Sequence, residues 1–457
     1  MAVNRANSDL AEYLEAVRRF SRNARLYMVH IVGMDMIHGT WDVLFNLYLL
    51  ALFEPTHGVV LFGQHVHAIE FVGVRLAIGA VASGVGSLPA GLLSDRIGRK
   101  ASFILGDGVG ALISLLNVLV TDPLFLLCTP VVSSLAGSLH HVSETAFMAE
   151  NSARRERVHL FSVGGSLSTA VGMVGSLVAA SYPAFVDWFG GQLPAYRAAT
   201  LIGIVLWFLS LIPALMLREQ PRTGAVAPAR VAIGLRQIRH PGLVARLATT
   251  GALLSVGYAA ALPFMNVFFH EHLHADESEI GATFATASLF VAIGSLFAPL
   301  ISNRLGKVRG VTLARLAAVP VVLSLGLSPE SAGDVSIGLT AAGVAIALRA
   351  MLMNVSVPIA EAFAMEVLDP GERATMVGLE AAAASLLRAV ATVAGSIAIA
   401  SGDYLLPFAM TATCYLLSTG LFWVWFRELE QPAPEPVLVA ATWPSQTAGG
   451  VARVKPG

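Results

Sequence analysis

The chain has 457 residues, of which 55% are hydrophobic and only 13% are charged; its formal net charge is −1 and its mean hydropathy is +0.70. A soluble protein carries charge on roughly a quarter of its residues. This composition therefore excludes a soluble globular protein and requires lipid as the solvent. The two cysteines, Cys128 and Cys414, lie far apart in apolar runs and indicate neither a disulfide framework nor a metal motif.

Residues 1–27 are predicted to form an amphipathic segment on the cytoplasmic membrane surface, because Leu10, Leu14 and Val17 share one helical face. Twelve apolar runs follow, each close to the roughly 20 residues that span a bilayer. These runs are 28–53, 69–94, 102–121, 124–148, 158–183, 196–217, 243–269, 279–302, 311–328, 336–367, 374–400 and 404–426. The predicted fold is an all-α integral membrane protein with twelve transmembrane helices. A Pro- and Ala-rich stretch, 428–457, is predicted to be a disordered cytoplasmic tail.

Basic residues mark one side of the predicted membrane. The loops on the side of the N-terminus contain Arg96, Arg99, Lys100, Arg154, Arg155, Arg157, Arg304, Lys307, Arg309 and Arg373. The loops on the other side carry Arg197 and almost nothing else that is basic. Because cytoplasmic loops are rich in Lys and Arg, both termini are predicted to be cytoplasmic, in a plasma membrane of the bacterial inner-membrane type.

The chain also repeats itself. The segment GSLPAGLLSDRIGRK at Gly86 matches GSLFAPLISNRLGKV at Gly294, 208 residues later. A second pair, AFMAENSARRER at Ala146 and AFAMEVLDPGER at Ala362, is 216 residues apart. These nearly equal offsets indicate a six-helix unit duplicated in parallel, an arrangement found in secondary transporters. The predicted divisions are an N-terminal bundle at 28–217, a cytoplasmic linker at 218–242 and a C-terminal bundle at 243–427.

A charged loop joins the second and third predicted spans. Its sequence, GLLSDRIGRK, contributes Gly91, Asp95, Arg96, Gly98, Arg99 and Lys100, and a degenerate second copy contributes Asn303, Arg304 and Gly306. The loop resembles the signature of the major facilitator superfamily. That resemblance implies a latch in which Asp95 meets the start of the eleventh helix near Arg373, and a weaker second latch because Asn303 replaces the acid. The alternative is a charged turn that only sets topology.

Polar residues interrupt the first predicted span. Asp35, His38, Asp42 and Asn46 fall within an arc of about 80° on a helix. A charge at the bilayer centre costs about 3 kcal/mol on insertion scales, so this stripe is predicted to face a cavity or a partner. We expect Asp35, beside a titratable imidazole, to exchange protons. Arg75 lies at a similar depth to Asp42, and either a structural Asp42–Arg75 ion pair or a binding site would explain both.

Other spans supply further candidate site residues, namely His140, Glu144, Arg349 and Arg388. The two arginines either hold a carboxylate or phosphate of the substrate or form salt bridges between the halves that gate without touching substrate. Histidines cluster in two external loops, at His57, His65, His67, His270, His272 and His274. They either bind a divalent metal or form a solvated mouth.

These patterns predict a secondary active transporter that moves a small organic solute by alternating access. Proton coupling through Asp35 and Asp42 is expected, and export is favoured over import. The expected partners are the solute, protons and the lipid bilayer; no cofactor and no nucleic acid are expected, and the protein is predicted to be a monomer. No Ser/His, Cys/His or HExxH constellation points to an enzyme.

Two alternatives remain. One is a divalent transition-metal carrier that uses Asp35, His38, Asp42, His140 and the external histidines, although the midplane arginines would repel the ion. The other is a non-transporting receptor or scaffold that keeps the same fold.

Overall fold

The computed structural model describes residues 18–54, 58–152, 157–218, 239–328 and 335–430. Among these residues, twelve helices are long and apolar enough to cross a membrane, which confirms the predicted all-α membrane fold. Residues 1–17 of the predicted surface segment, 219–238 of the linker and 431–457 of the tail lie outside the described residues. The boundaries of the predicted domains stay predictions.

The described residues of the N-terminal half form seven helices and one hairpin. In chain order they are α1 (Arg22–Phe53), β1 (Val59–Leu61), β2 (Gln64–Val66), α2 (Ala68–Ile97), α3 (Arg99–Leu119), α4 (Pro123–Glu150), α5 (Arg157–Ala180), α6 (Tyr182–Phe189) and α7 (Gln192–Leu215). The two strands pair antiparallel, with Val60 opposite His65. Helix α6 is too short to span a bilayer.

The C-terminal half contains six long helices. They are α8 (Pro241–Ala261), α9 (Glu277–Leu305), α10 (Lys307–Gly326), α11 (Val335–Val367), α12 (Pro370–Ala400) and α13 (Leu405–Phe426). Helix α8 does not end cleanly, because it continues through a 3-10 turn at Leu262–Phe264, an α turn at Met265–Val267 and a π-helical turn at Phe268–His272.

Short polar side chains begin several of these helices. Ser21 accepts a hydrogen bond from the Ala24 amide before α1 (3.1 Å), and Asp122 accepts one from the Phe125 amide before α4 (2.7 Å). At α9, Asp276 and Glu279 form a reciprocal capping box. Such caps satisfy amides that have no partner inside the helix, so they fix where each span begins.

The two halves use the same set of helix pairs. In the N-terminal half, α1 packs on α5 and α7, while α4 packs on α2 and α3. In the C-terminal half, α8 packs on α12 and α13, while α11 packs on α9 and α10. These pairs correspond span by span, which agrees with the internal repeat. Two further pairs, α2 with α12 and α5 with α9, join the halves.

The two ends of the bundle are packed differently. We call the end with the Arg- and Lys-bearing loops after α2, α4 and α9 the basic end, and the other the opposite end. At the opposite end, one apolar core contains residues of both halves, among them Tyr48, Phe264 and Phe408. At the basic end, the clusters around Phe103 and Phe363 belong to separate halves. The halves are therefore joined by packing at the opposite end.

Hydrogen bonds reinforce this junction at the opposite end. Asn46 Nδ2 donates to the Pro263 carbonyl (2.9 Å) and to Asn266 Oδ1 (3.1 Å), and Asn266 Nδ2 donates to the Val43 carbonyl (2.9 Å). In addition, the α9 backbone at Gly281 lies so close to the end of α5 that an added Cβ would overlap it. Helix α1 is thus tied directly to the broken end of α8.

Candidate functional site

A cavity lined by residues of both halves lies between them. This central cavity has a volume of about 440 Å³, and its lining includes His38, Trp41, Arg75, Asp107, His140, Trp207 and Arg388. A second space of about 590 Å³, which we call the vestibule, adjoins it and shares Ser83 and Arg388 with it. The vestibule extends to Ala364 and Met365, close to the last residue of α11 at the basic end.

Asp35 and His38 form a pair on α1. Their side chains approach to 3.3 Å, between Asp35 Oδ1 and His38 Nδ1. Asp35 is buried, whereas 56% of the His38 side chain is accessible. Because His38 lines the central cavity, it connects the buried carboxylate with the cavity.

The other two polar residues of the α1 stripe have different surroundings. Asp42 is accessible but is not one of the residues that line the central cavity. Asn46 instead forms the bridge to α8 described above. Of the stripe, His38 therefore lines the cavity, whereas Asn46 lies in the closed junction between the halves.

Arg75 does not pair with Asp42, so of the two alternatives left open, the structural ion pair is not formed. Its guanidinium donates to the Leu126 carbonyl (3.2 Å), Asn117 Oδ1 (3.1 Å) and the Thr129 hydroxyl (3.4 Å). Its carbon Cζ also lies 4.6 Å from the centre of the Phe45 ring. The side chain is buried yet lines the central cavity, so its uncompensated positive charge contributes to the wall.

Sequence reasoning missed a cluster of three buried side chains. His30 Nε2 lies 3.0 Å and His140 Nδ1 lies 2.9 Å from the same carboxylate oxygen, Asp107 Oδ2. The three residues belong to α1, α4 and α3, and His140 was the only one predicted. The only signals in the sequence were one histidine, His30, and one acid, Asp107, in separate apolar spans. Nothing in the sequence showed that these two side chains contact each other.

Glu144 lies one turn from this cluster on α4. Its Oε2 is 3.8 Å from His141 Nδ1. His141 lines the central cavity, with 69% of its side chain accessible. Glu144 therefore sits on the cavity side of α4, towards the basic end.

The two predicted arginines of the C-terminal half have different roles in the structure. Arg349 Nη2 donates to the Tyr415 hydroxyl (2.7 Å), and its Cζ lies 5.5 Å from the centre of the Tyr258 ring. Arg388 is accessible and lines both the central cavity and the vestibule. Neither forms an ion pair within the part of the chain that the structure describes, so the inter-half salt bridges, one of the two alternatives, are not formed there.

The vestibule contains charged residues that the sequence did not single out as site residues. Arg315 donates to the Ser356 hydroxyl (3.4 Å) and lies 5.4 Å from the Phe422 ring centre. Glu361 and Glu380 line the same space. The vestibule thus has both signs of charge on the C-terminal wall.

The signature loop folds as a tight connection between α2 and α3. Gly98 has φ +97°, a conformation that glycine adopts without strain. Asp95 pairs with Arg99 (3.0 Å), which also donates to the Ser94 hydroxyl (2.7 Å) and to Glu150 at the end of α4 (3.4 Å). Arg99 therefore holds the loop against α4.

The second copy repeats part of this geometry. Gly306 has φ +85°, and Lys307 pairs with Glu366 near the end of α11. By the two repeat offsets, this pair is equivalent to that of Arg99 with Glu150. Asn303 and Arg304 are exposed.

The remaining residues of the first copy have ordinary surroundings. Arg96 is exposed, Lys100 is half-buried, and an added Cβ at Gly91 would make only an ordinary contact with Val142. The Arg373 side chain lies outside the described residues, so the predicted latch to Asp95 stays a prediction.

The metal-ligand set predicted for a transition-metal carrier does not come together. His140 is grouped with His30 and Asp107, or with His141 and Glu144, rather than with Asp35 and His38. The external histidines do not form such a group within the described ranges; His272 instead contacts the Ser328 carbonyl (3.0 Å). His57 lies outside the described residues.

Two pseudo-equivalent six-helix halves around a charged central cavity define the architecture of a membrane transporter. A family model described as Major Facilitator Superfamily matches residues 39–356. The chain belongs to this superfamily, as its loop signature predicted.

Curated relatives include exporters. The Enterobactin exporter EntS of Escherichia coli O1:K1 / APEC is 27% identical over 273 residues, which cover 58% of this chain and 63% of the exporter. The protein of the same name from Citrobacter koseri is 26% identical over 265 residues, covering 57% and 62%. The chain thus matches somewhat less than two thirds of the length of these relatives.

Solved structures share the fold over most of the chain. Nucleoside transporter NupG has a TM-score of 0.67 at 12% identity, covering 89% of this chain and 99% of that one. A bacterial homologue of the iron transporter ferroportin in an inward-facing state has 0.67 at 14%, covering 88% and 98%. A D-xylose-proton symporter has 0.67 at 13%, covering 88% and 97%. At these identities the likeness shows the fold alone.

Proposed function

We propose that the protein is a secondary active transporter that exports a small organic solute by alternating access. The observation that carries the proposal is the central cavity, which is lined on one half by His38, paired with the buried Asp35, and on the other by the accessible Arg388. Ligand sites of this kind are concave, with a few polar groups that orient the ligand. The exporters among the curated relatives support the direction.

The lining indicates the chemical class of the solute. Trp41, Trp207 and His38 line the central cavity with aromatic rings, while Arg75 and Arg388 provide positive charge. Aromatic rings pack against planar apolar groups, and guanidinium groups bind carboxylates and related anions. We therefore propose an aromatic organic anion as the solute, with protons as the coupling ion and the lipid bilayer as the surroundings.

The packing of the two ends supports an assignment of the conformational state. The halves share one core at the opposite end, and the vestibule reaches towards the basic end. We propose that the basic end and both termini face the cytoplasm of a bacterial-type inner membrane, and that the protein works as a monomer. The structure then corresponds to an inward-open state that loads solute from the cytoplasm.

Proton coupling is proposed to run through Asp35 and His38. Replacing Asp35 by Asn keeps the shape of the side chain but removes its ability to release a proton. In proteoliposomes, Asp35→Asn should abolish solute flux driven by a pH gradient and preserve counterflow, in which labelled and unlabelled solute exchange without a gradient. Enterobactin is the first solute to test, followed by aromatic carboxylates that raise the thermal stability of the purified protein.

The control variant is Asp187→Asn, because Asp187 is an exposed acid on α6, outside the spans. It should transport as the wild type does. Gradient-driven flux that persists in Asp35→Asn would contradict the coupling residue, whereas an absence of counterflow with every solute in the wild type would contradict the carrier function and favour a receptor or scaffold.

A further inference from the structure

The buried cluster of His30, Asp107 and His140 has the composition of a metal site. The three residues are at most 2% exposed, and they come from three different helices, α1, α3 and α4. One ligand atom of each, His30 Nε2, Asp107 Oδ2 and His140 Nδ1, lies within 4.8 Å of the others. Two imidazoles and a carboxylate are a ligand set that zinc and related ions favour.

The hydrogen bonds of His30 show that the cluster needs a positive species. Its Nδ1 lies 2.9 Å from the Ser210 carbonyl, which can only accept, so Nδ1 carries the hydrogen. In the neutral ring, Nε2 then directs a lone pair at Asp107 Oδ2, 3.0 Å away. A lone pair and a carboxylate oxygen at this distance repel each other unless a cation lies between them.

We propose that His30 Nε2, Asp107 Oδ2 and His140 Nδ1 bind one divalent transition-metal ion of the zinc class. Zinc bonds to nitrogen and oxygen are about 2.0–2.2 Å long, and the tetrahedral geometry separates the ligand atoms by roughly 3.4 Å. The present separations of 3.0 and 2.9 Å from the carboxylate oxygen need to widen by only a few tenths of an ångström.

Two outer contacts fit the same assignment. Metal-bound histidines usually donate their second ring N–H to a carbonyl or a similar group, which fixes the ring. The Ser210 carbonyl is placed for this on His30, and the Tyr27 hydroxyl lies 3.4 Å from His140 Nε2. Both rings are therefore oriented from the side away from Asp107.

The site has an access route for the ion and a free coordination position. Asp107 and His140 line the central cavity, so an ion can arrive through the same space as the solute. Three protein ligands leave a fourth tetrahedral position free for water or an oxygen of a bound molecule. The site joins α1 to α3 and α4 within one half.

The test uses the full chain, purified in detergent and stripped of metal with a chelator. Titration with Co²⁺ should give one bound ion per chain with visible ligand-field bands, and Zn²⁺ should displace it. Asp107→Asn and His30→Gln should each weaken binding at least about tenfold. Thermal unfolding without metal checks that each variant folds.

The control variant is His141→Gln, which removes an accessible histidine next to His140 that belongs to a second candidate group with Glu144. It should bind Co²⁺ as the wild type does. No stoichiometric binding of Co²⁺ or Zn²⁺ by the wild type would overturn the proposal and leave an extra shared proton as the positive species. Loss of binding in His141→Gln but not in Asp107→Asn would overturn it in favour of the second group.

Discussion

Arg349 and Arg388 show why charge alone does not identify a ligand-binding residue. Both lie deep in the C-terminal half, but Arg349 is held by the Tyr415 hydroxyl and two aromatic rings, whereas Arg388 is accessible in both cavities. A guanidinium held by a hydroxyl and two rings of its own half mainly stabilises that half. A side chain that is open to the cavity presents its positive charge to an anionic ligand.

The two arginines therefore predict different mutant phenotypes. Arg388→Gln should weaken binding of an anionic solute about tenfold or more, since a hydrogen bond to a charged group contributes roughly 1.5–3 kcal/mol. Arg349→Gln should lower thermal stability and leave solute affinity close to that of the wild type. Solute-dependent thermal shifts and equilibrium binding would measure both effects; equal losses of affinity would contradict the distinction.

Individual contacts were the part of the site that the sequence could not predict. The depth of Arg75 in its span was readable from its position, but its direction around the helix was not, and it contacts Asn117 and Thr129 instead of Asp42. The same holds for His30 and Asp107, which meet only because α1, α3 and α4 pack together. Residue spacing within one helix predicts a face; it does not predict which other helix covers that face.

At the scale of helices, α1 and α5 cross at unusually short range. An added Cβ at Gly39 would overlap the Gly172 carbonyl, and one at Gly175 would overlap the Met36 carbonyl. The Thr40 hydroxyl donates to the Gly175 carbonyl (3.1 Å) across the same crossing. Small residues let membrane helices approach closely, so these glycines determine how α1, with its polar stripe, is positioned.

This crossing predicts that Gly39→Ala destabilises the protein. The methyl group must push two backbones apart, and overpacking of this kind costs about 1–3 kcal/mol. Gly165→Ala on α5 is the matched control, because nothing lies within 4 Å of its added Cβ, and it should be neutral or slightly stabilising. Thermal unfolding in detergent compares the two; an equal or greater loss in Gly165→Ala would contradict the explanation.

The spans themselves were predictable. Each apolar run is long enough to cross a bilayer, and the repeated motifs divided the chain into equivalent halves before any contact was known. The broken end of α8, from Leu262–Phe264 to Phe268–His272, was not predicted, because hydropathy reports only that a segment is buried in lipid and does not distinguish α from π turns.

At the scale of the whole molecule, two acids meet where the halves close. Glu54 follows α1 and lies near Glu271, which belongs to the π-helical turn of the other half. Partial removal from water raises the pKa of Glu54, the Glu271 charge raises it further, and His270 opposes the shift. Opening the junction would separate the two acids and remove the contribution of the Glu271 charge to the raised pKa of Glu54.

The state that is closed at the opposite end should therefore become less stable, relative to the open state, as pH rises. A carboxyl group with a raised pKa in the closed state binds its proton more tightly there, so low pH favours closure and deprotonation above the raised pKa opposes it. Spin labels at Gln64 and Leu405, in a background with Cys128 and Cys414 replaced by Ser, would report the separation of the halves at this end by double electron–electron resonance.

The expected result is a longer mean distance at high pH than at low pH in the wild type. Glu54→Gln should abolish most of this change, and His65→Gln, which removes a titratable side chain from the exposed hairpin, should not. A pH dependence that survives in Glu54→Gln would show that other groups control closure.

The internal repeat relates two polar contacts, one in each half. Asp107 and Arg315 are separated by the first offset of 208 residues, and His140 and Ser356 by the second offset of 216. The contact of Asp107 with His140 joins the third and fourth spans of the N-terminal half through a carboxylate. The contact of Arg315 with Ser356 joins the equivalent spans of the C-terminal half through a guanidinium. The duplicated unit has thus kept the position of this contact, but its charged group is negative in one half and positive in the other. Two identical copies would lack this difference between the halves.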